Sequence, residues 1–140
     1  MRYGNDIKSP TASIQGPKVM IIDETAGSGG DMLPWMFRKF KVGILVGKRS
    51  WGGLVGILGF PEFIDGGSVT APNVGIWTKD GFIVENVGVA PDIEVEQTSA
   101  DVIRGKDPML EKVIELVLKE LQQNPQPDQV RPQFPVKAKN

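Results

Sequence analysis

The feature that most constrains this chain is a strand, a turn of small residues and a helix that follow one another directly. Residues 18–23 form a short apolar run typical of a buried strand. Small residues dominate the turn at 24–30, and residues 31–40 carry apolar side chains at helical spacing. Because a second apolar run follows at 44–47, we predict a strand–helix–strand unit with parallel strands, in an α/β fold.

The rest of the folded segment divides into a glycine-rich part and a helix. We expect short β-like runs at 54–57, 74–77, 82–84 and 93–95. Asp107 is a good N-cap and Pro108 suits the first helical position, so we expect an amphipathic helix from there to about residue 123.

Composition limits the function classes. The 140 residues suit one domain with one core, and the net charge of −1 favours neither nucleic acid nor a membrane surface as a partner. The sequence has no cysteine and no histidine, so thiolate catalysis is excluded and a serine here lacks an imidazole base. We expect a flexible leader at 1–15, a folded segment at 16–123 and a proline-rich disordered tail at 124–140.

Ser28 lies in the turn between the first strand and the first helix. At such a turn, small neighbours can expose a serine hydroxyl, as in the nucleophile elbow of hydrolases. The N–H of Gly29, at the N-terminus of the helix, would then point to where an oxyanion forms. Ala26 stands where a strict elbow has glycine, and the alternative is that Ser28 only caps the helix.

A wider pattern supports the nucleophile interpretation. The segment at 16–31, together with those at 46–53, 64–67, 84–92 and 105–108, resembles the tricorn-like serine peptidases within the tail-specific peptidase family. The resemblance covers roughly residues 16–123. It implies that this chain is the C-terminal catalytic subdomain of such an enzyme, with a partial Clp/crotonase-like ββα core and a C-terminal amphipathic helix.

The resemblance also assigns roles to residues. It implies that Ser28 is the nucleophile, that the Gly29 amide is one oxyanion donor, and that Glu85 is a catalytic carboxylate. Tail-specific relatives use a serine–lysine pair, but Gly53 stands at the lysine position, so the histidine-dependent branch is favoured. Tricorn has an aspartate after the nucleophile, linked to a preference for basic substrate residues; Gly29 replaces it here, so that preference is not carried over.

Several expectations concern what the chain does not supply. In the family, the general-base histidine, a helper serine and a second oxyanion donor come from an upstream subdomain. We therefore expect the isolated chain to be inactive or nearly so as a peptidase. We also expect it to form a homo-oligomer, with or without exchange of elements, or to bind the upstream half. The resemblance implies peptide substrates and a cytoplasmic location, and no cofactor or metal is expected.

Two other functions stay open at this stage. The chain could be a non-catalytic remnant that forms oligomers or binds peptides, or a small α/β domain outside the family in which Ser28 only caps a helix. For single residues, we expect Trp35, Trp51 and Trp77 to serve in packing. The carboxylates Asp23, Glu24 and Asp31 around the turn are expected to be solvated, and no binding residue for substrate is identified.

Overall fold

A computed structural model of the protein describes residues 4, 6–125, 127 and 130–135. Its strands and helices are, in chain order, β1 (Val19–Ile22), α1 (Gly29–Lys39), β2 (Ile44–Gly47), β3 (Gly56–Leu58), β4 (Ala71–Val74), β5 (Trp77–Thr78), β6 (Gly81–Phe82), β7 (Ile93–Glu94), α2 (Ser99–Ile103) and α3 (Pro108–Gln123). Within these described ranges, no helix is long and apolar enough to cross a bilayer.

The centre of the fold is a parallel sheet of three strands in the order β1–β2–β7. Val19 pairs with Ile44 and Val46 pairs with Ile93, both in parallel register. The strand–helix–strand unit β1–α1–β2 is therefore parallel, as its sequence pattern predicts. Both α1 and α3 pack against β1 and β2.

Neighbouring residues of the sheet point to opposite faces, and the two helices cover different faces. On the α1 face, Ile22 and Leu45 belong to the buried core, where Trp35 and Phe37 pack against them. On the other face, Val19 and Ile44 line a groove together with Leu116 of α3. Leu54, Val84 and Val89 complete the buried cluster that contains Ile22 and Leu45.

Two antiparallel ribbons occupy the glycine-rich part of the chain. Strands β3 and β4 pair across a long connection, and β5 and β6 form a tight hairpin with Trp77 opposite Phe82. The predicted runs at 54–57 and 74–77 are thus displaced: the strands lie at Gly56–Leu58, Ala71–Val74 and Trp77–Thr78. The runs at 82–84 and 93–95 are strands only at Gly81–Phe82 and Ile93–Glu94.

Helix α1 begins two residues earlier than the pattern indicates, at Gly29 instead of Asp31. Pro34 consequently lies beyond the first turn, where it has no N–H to offer the carbonyl four residues before it. The proline ring is fully buried, so packing offsets the lost hydrogen bond. Leu33, Met36 and Phe40 share an apolar face, but all three are exposed.

The C-terminal region contains one helix that the pattern did not predict. Helix α2 begins with a capping box, in which the Thr98 side chain accepts from the Asp101 N–H and the Asp101 side chain accepts from the Thr98 N–H. Asp107 caps α3 by accepting from the Leu110 N–H at 2.9 Å. Met109 of α3 is buried, while Leu110, Ile114 and Leu118 are exposed.

The predicted leader at 1–15 and tail at 124–140 fall partly outside the described residues. The described parts of both segments contain no helix or strand, apart from turns and bends. One ion pair joins the two segments, between Arg131 and Asp6 at 3.3 Å. Their predicted flexibility therefore stays a prediction.

Candidate active site

Ser28 ends the turn that follows β1 and precedes α1. Its backbone has φ 53° and ψ −109°, a conformation outside the regions that L-residues normally adopt. The side chain is exposed and, among the described residues, makes no capping hydrogen bond to the helix. The simple capping role is therefore not what the structure shows, and the strained turn instead presents the hydroxyl to solvent.

Gly29 is the first residue of α1, and its N–H donates to no group in the described part of the chain. The N–H groups of the next two residues are occupied, because Gly30 donates to Gly27 and Asp31 donates to Ser28. The free donor adjacent to Ser28 is therefore at Gly29. A helix N-terminus adds a partial positive charge at this point.

The turn is supported by residues 50–55, which we call the 50–55 loop. The Ser28 N–H donates to the carbonyl oxygen of Gly53 at 3.0 Å. In return, the Trp51 N–H donates to the carbonyl oxygen of Ala26 at 2.9 Å. These two bonds connect the 50–55 loop to Ala26 and Ser28, the residues on either side of Gly27.

Every backbone N–H of the 50–55 loop has a partner, although the loop is neither helix nor strand. The acceptors are the Val89 and Ala26 carbonyls for residues 50 and 51, Asp31 for 52 and 53, and Glu85 for 54 and 55. The carboxylates of Asp31 and Glu85 thus accept four N–H groups that a helix or sheet would otherwise pair. Such pairing matters because a buried N–H without a partner costs about 1–3 kcal/mol.

Asp31 is fully buried, with 0% of its surface exposed. One of its oxygens accepts from the Ser50 hydroxyl at 2.5 Å and from the Gly52 N–H at 2.9 Å, and the other accepts from the Gly53 N–H at 3.0 Å. Ser50 extends this hydrogen-bond network to Val89, because its hydroxyl also accepts from the Val89 N–H at 2.8 Å. The expectation that Asp31 is solvated is therefore wrong.

Glu85 binds the other end of the loop. Its Oε2 accepts from the N–H groups of Leu54 and Val55, at 2.7 and 2.6 Å. The residues on both sides of Glu85 adopt positive φ, 68° at Val84 and 59° at Asn86. A β-branched residue rarely adopts such a conformation, so the backbone is strained at the point that directs this carboxylate.

Ser28 and Glu85 line the same open cleft, whose volume is about 590 Å³. The other residues of its wall come from the 50–55 loop, from β3, from β4 and the residue before it, and from the residue after Glu85: Trp51, Gly52, Gly53, Val55, Gly56, Ile57, Thr70, Pro72 and Asn86. Trp51 is exposed in this cleft and Trp77 is exposed on β5, so two of the three tryptophans are not buried in the core as packing residues would be. Trp35 does pack against the core.

Lys48 follows β2 but is unsuited to act as a general base. Its ammonium pairs with Glu96 at 3.2 Å and with Glu24 at 3.5 Å. The hydrogen bond to Glu96, and then the charge of Glu24, raise the pKa of Lys48 above its ordinary value. Lys48 therefore stays protonated at neutral pH and is no proton acceptor for Ser28.

Asp23 stabilises the start of the turn. Its Oδ1 accepts from the Thr25 hydroxyl at 2.6 Å and from the Thr25 N–H at 2.8 Å. The hydroxyl first, and then the N–H, lower the pKa of the Asp23 carboxyl below its ordinary value. The carboxylate is therefore a local turn former and not a group available for chemistry at Ser28.

Comparison with known proteins points to one family. Residues 1–95 match the family described as peptidase family S41. The tricorn protease of Thermoplasma acidophilum is 43% identical over 121 residues, which cover 86% of this chain and 11% of that protein. A tricorn protease homolog of Saccharolobus solfataricus is 42% identical over 123 residues, again 86% of this chain and 11% of the relative. The chain thus spans about a tenth of the length of these relatives.

Solved structures give the same result. The crystal structure of the tricorn protease matches with a TM-score of 0.79 and 41% identity, over 87% of this chain and 12% of that chain. Mature CPAF complexed with lactacystin matches with a TM-score of 0.65 over 77% of this chain and 21% of that chain. Its 24% identity shows a shared fold alone.

Proposed function

The chain belongs to peptidase family S41, and on that premise we propose that it supplies the nucleophile of a tricorn-like serine peptidase. Ser28 Oγ attacks the carbonyl carbon of the scissile peptide bond while a base takes the hydroxyl proton, and the Gly29 N–H donates to the oxyanion. Collapse of the tetrahedral intermediate breaks the C–N bond, and the amine leaves with a proton. Water then hydrolyses the acyl ester and restores the Ser28 hydroxyl.

One observation carries this proposal. Ser28 is an exposed serine in a strained conformation (φ 53°, ψ −109°), and the adjacent Gly29 N–H has no acceptor among the described residues. Strain of about 1–3 kcal/mol persists only where the surroundings impose it, and such positions cluster at functional sites. A nucleophile beside a free amide donor is the pairing that acyl transfer requires.

The general base must come from outside this sequence. No histidine occurs among the 140 residues, and Lys48 is held protonated by its two glutamates. General base catalysis typically contributes about 10²–10⁴-fold in rate. We therefore propose that this chain alone is inactive or nearly so as a peptidase, and that a histidine-bearing part completes the site.

Glu85 takes a supporting role in the proposed site. Its Oε2 is engaged with two backbone N–H groups, at Leu54 and Val55, so this oxygen cannot also accept the proton of Ser28. The carboxylate fixes the loop whose Gly53 carbonyl oxygen binds the Ser28 N–H. We propose that Glu85 acts through position and charge and does not accept the proton.

Two finer assignments belong to the same proposal. The parallel sheet with α1 and α3 on its faces is consistent with a partial Clp/crotonase-like ββα core and a C-terminal amphipathic helix. A cytoplasmic location follows from the resemblance to tricorn-like enzymes and from nothing else.

Reaction with a fluorophosphonate probe tests the proposal. The purified chain would be treated with the probe alone and in the presence of the histidine-bearing upstream part of a close relative, then analysed by intact mass and peptide mapping. We expect covalent label on Ser28, little with the chain alone and more with the added part, and none in Ser28→Ala. Label on another residue in both conditions would reject Ser28 as the nucleophile.

The exposed apolar faces favour a second, non-catalytic role that is compatible with the first. Leu33 on α1, Phe40 at its C-cap, and Ile114 and Leu118 on α3 are exposed, which is unusual for faces that follow a helical apolar pattern. We propose that these faces bind a second copy of the chain, with or without exchange of elements, or the upstream half. Sedimentation at tens of micromolar tests self-association: oligomers are expected, and a monomer would reject it.

A further inference from the structure

Trp51 is a large apolar side chain that is both exposed and held in place. Its exposed fraction is 71%, yet its ring rests against the backbone of two glycines. A methyl group on Gly27 would lie 2.5 Å from Cε3 of the indole, and one on Gly53 would lie 2.6 Å from Cζ3. The six-membered ring of the indole therefore lies close to Gly27 and Gly53, while most of the side-chain surface stays exposed.

The position of the ring relative to the nucleophile is fixed by the chain itself. Gly27 immediately precedes Ser28, and the Trp51 N–H donates to the Ala26 carbonyl at 2.9 Å. Ser28 and Trp51 line the same cleft. If the scissile carbonyl carbon of a peptide reaches Ser28 Oγ, the side chain of a neighbouring substrate residue would therefore contact the exposed part of the Trp51 indole.

The cleft walls have a chemical preference. Val55, Ile57 and Pro72 contribute apolar surface, and Glu85 is the one ionisable side chain among the described lining residues. The Glu85 Oε2 is already occupied by two backbone N–H groups. A charged substrate side chain would lose hydration against these apolar walls, whereas an apolar one gains from burial.

We propose that Trp51 is the floor of a substrate subsite that selects an apolar, and best an aromatic, side chain next to the scissile bond. This inference rests on the proposed function, because it assumes that the peptide carbonyl lies at Ser28. Aromatic pairs gain beyond the area that they bury, so a phenylalanine should exceed a leucine in affinity.

Equilibrium binding to the full chain tests the proposal without any need for catalysis. The probes are blocked tripeptides, N-acetyl-Ala-Ala-X-amide, where X is Phe, Leu, Lys or Glu. The three tryptophans (Trp35, Trp51 and Trp77) give three indole N–H signals in a ¹H–¹⁵N spectrum. We expect the Phe and Leu peptides to shift the Trp51 signal and the Lys and Glu peptides to bind more weakly.

Matched variants distinguish binding at the Trp51 subsite from non-specific binding to other exposed aromatic side chains. Trp51→Ala should weaken binding of the Phe peptide on the order of tenfold, and Trp51→Phe should retain most of it. Trp77→Ala is the control, because Trp77 is 69% exposed but lies on the β5–β6 hairpin and outside the cleft lining. It should leave the affinity unchanged.

Three results would overturn the subsite: an unshifted Trp51 signal at millimolar Phe peptide, wild-type affinity in Trp51→Ala, or tighter binding of the Lys peptide. Because this binding requires no reaction at Ser28, failure here differs from failure of the nucleophile assignment. Peptide binding at Trp51, together with no label on Ser28 even after the histidine-bearing part is added, would support the subsite and reject the proposed catalysis.

Discussion

The Ser28 N–H donates to the Gly53 carbonyl oxygen at 3.0 Å, which ties the turn with the exposed hydroxyl to the 50–55 loop. Asp31 and Glu85 hold that loop through four backbone N–H groups. The strained conformation of Ser28 is thus supported by two carboxylates, one on α1 and one after β6.

The strain at Ser28 should be measurable as a cost in stability. Glycine adopts positive φ without a steric penalty, whereas alanine keeps the penalty of an L-residue. We expect Ser28→Gly to be about 1 kcal/mol more stable towards urea than Ser28→Ala. Equal stabilities for the two variants would show that the turn relaxes and stores no strain. Neither variant should react with the fluorophosphonate.

The Gly29 N–H should matter for reaction but not for folding. Proline is tolerated at the first position of a helix, so Gly29→Pro removes the donor and leaves α1 able to form. With the histidine-bearing part supplied, we expect labelling of Ser28 to slow by about 10²–10³-fold. Gly29→Ala keeps the N–H and has open space for the methyl group, so it should label at the parental rate. A parental rate in Gly29→Pro, with α1 intact by circular dichroism, would exclude this donor.

Replacement of Asp31 should destabilise the fold. The amide of asparagine turns one acceptor into a donor that faces the N–H or hydroxyl donors of Ser50, Gly52 or Gly53. We expect Asp31→Asn to lower the free energy of unfolding by about 2 kcal/mol in urea titrations. The exposed Asp80→Asn serves as the matched control and should change it by less than about 0.5 kcal/mol. Similar values for the two variants would contradict the network.

Glutamine and alanine at position 85 distinguish geometry from charge. Glutamine keeps a carbonyl oxygen that can accept from Leu54 and Val55, so Glu85→Gln should retain most of the stability. Glu85→Ala leaves both N–H groups without an acceptor and should cost about 1–3 kcal/mol. If labelling of Ser28 in the assembled site falls equally in both variants, the charge of Glu85 matters; if it falls only in Glu85→Ala, position alone matters.

The turn at Asp23 should loosen in acid. The folded pKa of Asp23 is lowered by the Thr25 hydroxyl and N–H. Its stabilising contribution is therefore fully present above the unfolded value, near pH 4, and is lost as the pH falls through the lower folded value. We expect the Thr25 amide signal to titrate with a midpoint below about pH 4, and not in Asp23→Asn. A midpoint at or above pH 4 would contradict the hydrogen bonds.

The local sequence pattern predicted the strand–helix–strand unit that carries Ser28, but not the contacts that hold the Ser28 turn in place. The strand–helix–strand unit and the position of Ser28 follow from apolar spacing, which is a local signal. Asp31 looked like a solvated carboxylate because its partners, from Ser50 to Gly53, lie about 20 residues away along the chain. A lone carboxylate has no periodicity to reveal them.

Two other differences have physical causes. Large aromatic side chains usually pack in a core, which is the expectation for Trp51, but its close neighbours in these contacts are Gly27 and Gly53, whose lack of side chains leaves most of the indole exposed. The sequence pattern does not predict helix α2, because its five residues are too few to show a repeat of apolar side chains at helical spacing. The spacing of Thr98 and Asp101 is a capping-box signature that could have revealed it.

The most direct measurement of the central claim is the rate of fluorophosphonate labelling at Ser28 with and without a histidine-bearing upstream part. The account predicts label confined to Ser28, at a rate that rises by about 10²-fold or more when that part is added. Loss of the histidine in the added part should abolish the increase. Fast labelling of the chain alone would contradict the external base, and no label at Ser28 in any mixture would contradict its role as the nucleophile.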